Sequence, residues 1–94
     1  SLGVTVEDML PEERQRLGLA HGVRVTDVAG PAEEAGIRRG DVVLSIDHEA
    51  LTSIDRFNTV VAGLRPGRHV PVLVSRDGRR QFLALRVPAG ASPG

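Results

Sequence analysis

The spacing of hydrophobic and polar positions changes period several times along the chain, and each change marks an element. Leu2, Val4 and Val6 alternate with Gly3 and Thr5, the period-two pattern of a loop running into a strand. Residues 11–18 begin with proline, carry acids first and bases later, and end on glycine. That is the order favoured by helix capping and the helix dipole. Val23 and Val25 alternate with Arg24 and Thr26, which predicts a strand over 22–28. Residues 30–36 follow the same helix plan in one to two turns.

Residues 36–47 hold the densest signal. Gly36 suits the left-handed position just beyond a helix end, and Ile37 supplies the apolar contact that follows such a cap. Gly40-Asp41 makes a turn, and the apolar run behind it predicts a buried strand over 41–47. Thr52 stands three residues before Asp55, the spacing of a capping box. Ile54, Phe57, Val60, Val61 and Leu64 then recur at threes and fours, predicting a helix closed by Pro66-Gly67. On it Phe57, Val60 and Leu64 are expected to face the core. Ile54, Asn58 and Val61 form a neighbouring stripe. Val70, Val72 and Val74 alternate into an Asp77-Gly78 hairpin turn, and Leu83, Leu85 and Val87 alternate on the return. Pro71 cannot donate to a ladder, which places it at an edge or an irregularity. Residues 89–94 have the composition of a flexible tail.

This order predicts one α+β domain over residues 1–88, with no internal repeat. Its architecture is a small, mostly antiparallel sheet or partly open barrel of five to six strands with two to three helices. Composition adds mainly exclusions. Hydrophobic residues make up 40 %, enough for a globular core, and with Phe57 and Phe82 the only aromatics that core must be aliphatic. Twelve arginines balance twelve acids, so no global field draws the chain to nucleic acid or anionic membrane. The absence of cysteine removes disulfides, thiolate metal sites and thiol catalysis. No run of about 18 apolar residues is present to span a bilayer. No signal peptide is visible, and the start resembles that of an excised fragment.

Several pieces together resemble a known family. Leu2-Gly3-Val4 resembles the Φ-Gly-Φ carboxylate-binding loop of PDZ domains. Residues 30–37 followed by 40–46 resemble the short helix and core strand of that family. With the loop motif opening the domain and a hairpin closing it, the order is similar to the circularly permuted PDZ of bacterial HtrA (Do-like) serine proteases. Asp41-Val42-Val43-Leu44, Leu51-Thr52-Ser53-Ile54 and Arg76-Asp77-Gly78-Arg79 fit that subfamily, most closely its second, C-terminal PDZ. The resemblance covers residues 2–88. It departs at Asp47-His48, where most relatives have Asn-Gly; histidine tolerates a left-handed turn less easily than glycine.

The resemblance implies a non-catalytic module that binds hydrophobic C-termini by strand addition beside an attached protease domain. It implies a periplasmic or cell-envelope location, with no cofactor, metal, nucleic acid or membrane insertion. The amides of Leu2, Gly3 and Val4 are the expected carboxylate donors, because Gly3 lets the backbone turn tightly. Val4 to Val6 is the expected edge for the added strand. Thr5, Val6, Ile54, Asn58 and Val61 are the expected groove residues, although an apolar stripe is also what plain core looks like. Two alternatives stand beside this. In the first the domain serves oligomerisation or domain packing; in the second it belongs to another parent, such as a tail-specific or intramembrane protease or a secretion protein. His21, His48 and His69 are scattered, and Ser45, Ser53 and Ser75 lack any nucleophile-elbow or oxyanion context. Asp41 reads as a turn cap, and Arg38-Arg39 and Arg79-Arg80 as solvated pairs.

Overall fold

The structure is a computed structural model, and it describes residues 2–89. The tail expected over 89–94 lies outside the described residues, apart from Ala89. The elements follow the sequence punctuation closely. Strand β1 (Val4–Asp8) leads to helix α1 (Pro11–Leu17), which ends at Gly18 in the left-handed conformation. Strand β2 (Val23–Val28) precedes the short helix α2 (Gly30–Glu34). Gly36, at φ 97°, stops α2; Ile37 is buried and its N–H donates to the Ala32 carbonyl at 3.1 Å. Strand β3 (Val42–Ile46), strand β4 (Glu49–Ala50), helix α3 (Ile54–Ala62), strand β5 (His69–Arg76) and strand β6 (Arg79–Arg86) complete the order.

Every strand pairing is antiparallel. The sheet runs β1-β2-β3-β5-β6, with β4 pairing to β3. β4 carries no periodic signal in the sequence. It exists because Asp47 and His48 both take left-handed φ, 52° and 67°, as a type I′ hairpin turn requires. Histidine therefore occupies the turn position where glycine was expected. Asp77-Gly78 closes β5–β6 in the same way, at φ 51° and 77°.

Two expectations need correction or refinement. Thr52 is not the cap of α3: Ser53 is, its Oγ accepting from the Arg56 N–H at 3.1 Å. Asp55 does not reach back. The Ile54 N–H donates to Asp8 Oδ1 at 2.9 Å, so an acid from β1 satisfies the first helical amide. Pro71 lies inside β5, an interior strand, and not on an edge strand. Its carbonyl accepts from the Asp47 N–H at 2.8 Å, so its ring nitrogen faces the same side, where β3 has ended in the turn. Pro71 thus lies one residue past the last β3–β5 pair, Ile46 with Val72, an irregularity where that ladder ends.

One face of the sheet, with α2 and α3, encloses the main core. Val23, Val72 and Val74 are fully buried there, and Phe57 and Val60 plug it from α3. A smaller cluster of Met9, Leu19, Val42 and Leu44, with Leu73 against it, covers part of the opposite face. The sequence did not reveal the anchor between the loops. Asp41, 2 % exposed, accepts from Arg76 Nε at 2.8 Å and Arg76 Nη2 at 2.7 Å, and from the Arg38 N–H at 2.9 Å. Arg76 Nη2 also donates to the Gly36 carbonyl at 2.7 Å. Asp41 is thus the turn cap that was expected, and in addition the buried half of a bidentate ion pair.

Candidate functional site

The loop before β1 is fastened to the start of α2 by two backbone bonds. The Leu2 carbonyl accepts from the Ala32 N–H at 2.9 Å, and the Gly3 carbonyl from the Ala29 N–H at 2.7 Å. No peptide bond among the described residues is cis. In a trans unit the next residue's amide points opposite to the carbonyl. The Gly3 and Val4 N–H groups are therefore aimed away from α2. Gly3 sits at φ 83°, and a Cβ on it would lie 2.0 Å from the Ala29 oxygen, so the close approach depends on glycine twice over. Leu2 contributes its side chain to the main core, which pins the loop from below.

β1 is the terminal strand of the sheet, with β2 on one side. Backbone groups alternate sides along an antiparallel strand. The Gly3 carbonyl bonds to Ala29, and the Thr5 carbonyl accepts the Thr26 hydroxyl at 3.2 Å, so odd residues face β2. The backbone N–H and C=O of Val4 and Val6 consequently face the outer edge. The extra residue where the β1–β2 register shifts lies on β2, at Thr26, and leaves this alternation in β1 intact.

The side chains divide as period two requires. Val4 and Val6 are half-buried and packed on the main core, whereas Thr5 and Glu7 are exposed. Across from them on α3, Val61 and Leu64 pack partly buried on the same core, Ile54 is half-buried and Asn58 is exposed. Val4, Val6 and Val61 thus all rest on the same core and remain incompletely covered. The end of β1 is tied to the start of α3 by the Asp8–Ile54 bond. Asp8 was missed in the sequence because its partner lies 46 residues away.

Electrostatics stiffen the back of β1. Arg24 on β2 forms ion pairs with Glu7 of β1 and Glu13 of α1. The hydrogen bonds Arg24 donates to Glu7, then to Glu13, raise its guanidinium above its ordinary value against a smaller desolvation effect. Among the described residues no group of three or more His, Asp or Glu side chains is placed to hold a metal, and no helix is long and apolar enough to cross a membrane. Ser53 is committed to its cap, and His48 and His69 are exposed on separate elements.

The comparisons agree with this geometry. The family model described as PDZ domain matches residues 1–87. A probable periplasmic DegP-like serine endoprotease of Hahella chejuensis is 36 % identical over 88 residues, covering 93 % of this chain and 19 % of that protein. Its counterpart in Pseudomonas fulva is 36 % identical over 87 residues, covering 92 % of this chain and 18 % of that protein. The chain thus spans about a fifth of the length of these curated relatives. Among solved structures, a variant of the HtrA-type protease AlgW with a decapeptide superposes at a TM-score of 0.88 with 35 % identity, over 99 % of this chain and 30 % of that one. The HtrA3 PDZ domain bound to a phage-derived ligand superposes at 0.74 with 19 % identity, over 89 % of this chain and 80 % of that one, and so supports the fold alone. A terminal strand beside a half-covered helix, a glycine loop pinned to a short helix, and a family match over nearly the whole chain together make this chain a member of the PDZ domain family.

Proposed function

We propose that the chain is the non-catalytic peptide-binding module of an HtrA-like serine protease of the periplasm, and that it captures hydrophobic C-termini by strand addition. The observation that carries the reading is the outer edge of β1, where Val4 and Val6 direct their backbone groups outward and their side chains toward α3. A peptide added there gains main-chain bonds from the edge and apolar contact from Val4, Val6, Ile54 and Val61. The Leu2-Gly3-Val4 amides receive the terminal carboxylate, each such bond contributing about 1.5–3 kcal/mol. Burying a terminal Val or Leu side chain adds about 1.5–3 kcal/mol. Ordering the peptide offsets much of that sum, which leaves affinity on the order of micromolar, about −8 kcal/mol. Thr5 and Asn58, both exposed, flank the path and contact alternate ligand side chains.

The names of the relatives support the attached protease and its location, and the peptide complexes of AlgW support the mode of use. Titration with a fluorescent peptide ending in a free Val or Leu carboxylate tests the proposal. Saturable binding is expected, and amidating the terminus should weaken it about tenfold or more. Val61→Arg places a charge in the apolar wall and should remove binding while leaving the fold intact. Equal affinity for free and amidated peptides would overturn the reading.

A further inference from the structure

A net charge of zero conceals a separation of charge along the chain. Residues 1–55 hold eleven of the twelve acids and five arginines, whereas residues 56–94 hold seven arginines and one acid, Asp77. The two parts carry −6 and +6. The fold lays this separation along the candidate groove. At the end of β1, Glu7 is exposed and shares Arg24 with Glu13, so two carboxylates face one guanidinium. Asp8 beside it is exposed, accepts from the Ile54 N–H and takes part in no ion pair among the described residues. Asp55 adds an exposed acid in the first turn of α3. Since α3 starts at Asp8, its other end lies toward the start of β1, where Leu64 and Leu2 rest on one core. The chain leaving that end is Arg65-Pro66-Gly67-Arg68. The Gly67 N–H donates to the Val87 carbonyl and the Val87 N–H to the Arg68 carbonyl, each at 2.8 Å, which brings Arg86 alongside. Arg65, Arg68 and Arg86 are exposed and take part in none of the ion pairs among the described residues.

We propose that the groove selects hydrophobic C-termini that carry basic side chains three and four residues before the terminal one, and that it discriminates against acids there. This rests on the peptide-binding reading given above. The register follows from direction. A carboxylate held by the Gly3 and Val4 amides, on a peptide that runs along β1 toward Asp8, makes the added strand antiparallel to β1. The terminal residue then stands opposite Val4, and the four residues before it stand in turn opposite Thr5, Val6, Glu7 and Asp8. Residues directly opposite in an antiparallel pair put their side chains on one face. The third residue upstream therefore meets Glu7 on the exposed face, and the fourth meets Asp8 on the side of α3. Lysine or arginine at either place faces a carboxylate, whereas glutamate or aspartate faces a like charge, which is destabilising. Because Glu13 also holds Arg24, Glu7 turns to a ligand cation without leaving that guanidinium unpaired. Arg65, Arg68 and Arg86, at the other end, supply the potential that favours the terminal carboxylate.

The test is an NMR titration of the isotope-labelled chain with the N-acetylated peptides Ser-Lys-Lys-Ala-Ser-Val and Ser-Glu-Glu-Ala-Ser-Val, each with a free and with an amidated terminus. With free termini, the lysine peptide should bind about fivefold more tightly than the glutamate peptide at low salt. The difference should narrow at about 0.5 M salt, where exposed charges are screened. Glu7→Lys should abolish or reverse the order of the two Kd values, and Glu7→Gln should narrow their ratio. Arg65→Glu with Arg68→Glu should weaken both free peptides about threefold or more and lower the ratio between free and amidated forms. Unfolding midpoints should hold in these variants, because all three residues are exposed. Equal Kd values for the two free peptides, tighter binding of the glutamate peptide, or a ratio unchanged by Glu7→Lys would overturn this proposal and leave the peptide-binding reading standing. Free and amidated termini bound alike, or no saturable shifts at millimolar peptide, would overturn that reading and this proposal with it.

Discussion

Asp8 Oδ1 accepts a hydrogen bond from the Ile54 N–H at 2.9 Å, so the last residue of β1 satisfies the first helical amide of α3. The first amides of a helix lack intrahelical partners. Here Ser53 satisfies one by ordinary capping, and the strand that forms the other wall of the candidate groove satisfies a second. One bond therefore serves helix stability and also sets the spacing between the two walls at one end.

Replacing Asp8 should reveal both roles. Asp8→Ala is expected to cost about 1 kcal/mol, within the range of about 0.5–2 for a lost cap. Asp8→Asn retains an acceptor oxygen and should recover most of it. Urea unfolding of the three proteins measures the first effect. Titration with a free-carboxylate peptide at full folding measures the second, where Asp8→Ala should bind several-fold more weakly than Asp8→Asn. Identical Kd values would show that the bond does not set the groove.

Gly3 and Gly18 make a matched pair for separating backbone preference from close approach. Both hold left-handed φ, 83° and 70°. A Cβ at Gly18 meets nothing within 4 Å, whereas at Gly3 it meets the Ala29 oxygen at 2.0 Å. Gly18→Ala should cost about 1–2 kcal/mol for the conformation alone. Gly3→Ala should cost more in thermal or urea unfolding, because the loop must also move off the bond to Ala29. That movement should cost peptide affinity as well, whereas Gly18→Ala should leave affinity unchanged.

The sequence conveyed what is local and missed what is distant. Pro11 and Gly18 bracket α1, Asp77-Gly78 closes the hairpin, and Gly36 with Ile37 stops α2, because each acts through its own backbone angles or its near neighbours. Val4, Val6 and Val61 were placed by periodicity, which reports the face a side chain takes. Partners far apart leave no such signal. Arg76 and Asp41 are 35 residues apart, and Asp8 and Ile54 are 46 apart. The choice of Ser53 over Thr52 turned on a one-residue shift of the helix start that spacing does not resolve. β4, two residues long, is too short for any period and follows from the left-handed pair Asp47-His48.

Arg76 is the residue whose loss should damage the fold most. Removing one partner of a buried ion pair costs about 3–5 kcal/mol, a large part of the about 5–15 available to a domain. Arg76→Leu strands the Asp41 carboxylate and frees the Gly36 carbonyl, so extensive unfolding is expected by circular dichroism at 37 °C. Asp41→Asn with Arg76→Leu leaves no buried charge and should recover part of the loss.

The alkaline limb of the stability profile should be flat. The hydrogen bond to Asp41 raises the Arg76 guanidinium, and those to Glu7 and Glu13 raise that of Arg24. A folded value raised above the unfolded one contributes fully below the unfolded value and is lost only as pH rises through the folded one. For arginine that window opens above about pH 12. The chain contains no lysine, tyrosine or cysteine, the side chains that titrate at about pH 8.5–10.4. Unfolding midpoints measured between pH 9 and pH 11 should therefore coincide; a fall in that window would show that a guanidinium pair is not what holds these elements.

His48 is where a local cost meets a non-local contact. Holding a residue other than glycine in the left-handed region costs about 1–2 kcal/mol, so His48→Gly should stabilise the type I′ turn. The same substitution removes the edge-on contact with Phe82, and an aromatic pair contributes about 0.5–1.5 kcal/mol. The two effects oppose each other, and the single variant alone does not separate them. A double-mutant cycle does, because Phe82→Ser removes the ring contact and leaves the turn unchanged. His48→Gly should stabilise more in the Phe82→Ser background than in the wild type, by about the strength of the ring contact. Equal effects in both backgrounds would mean that the rings are neighbours without coupling, and that the turn tolerates histidine unaided.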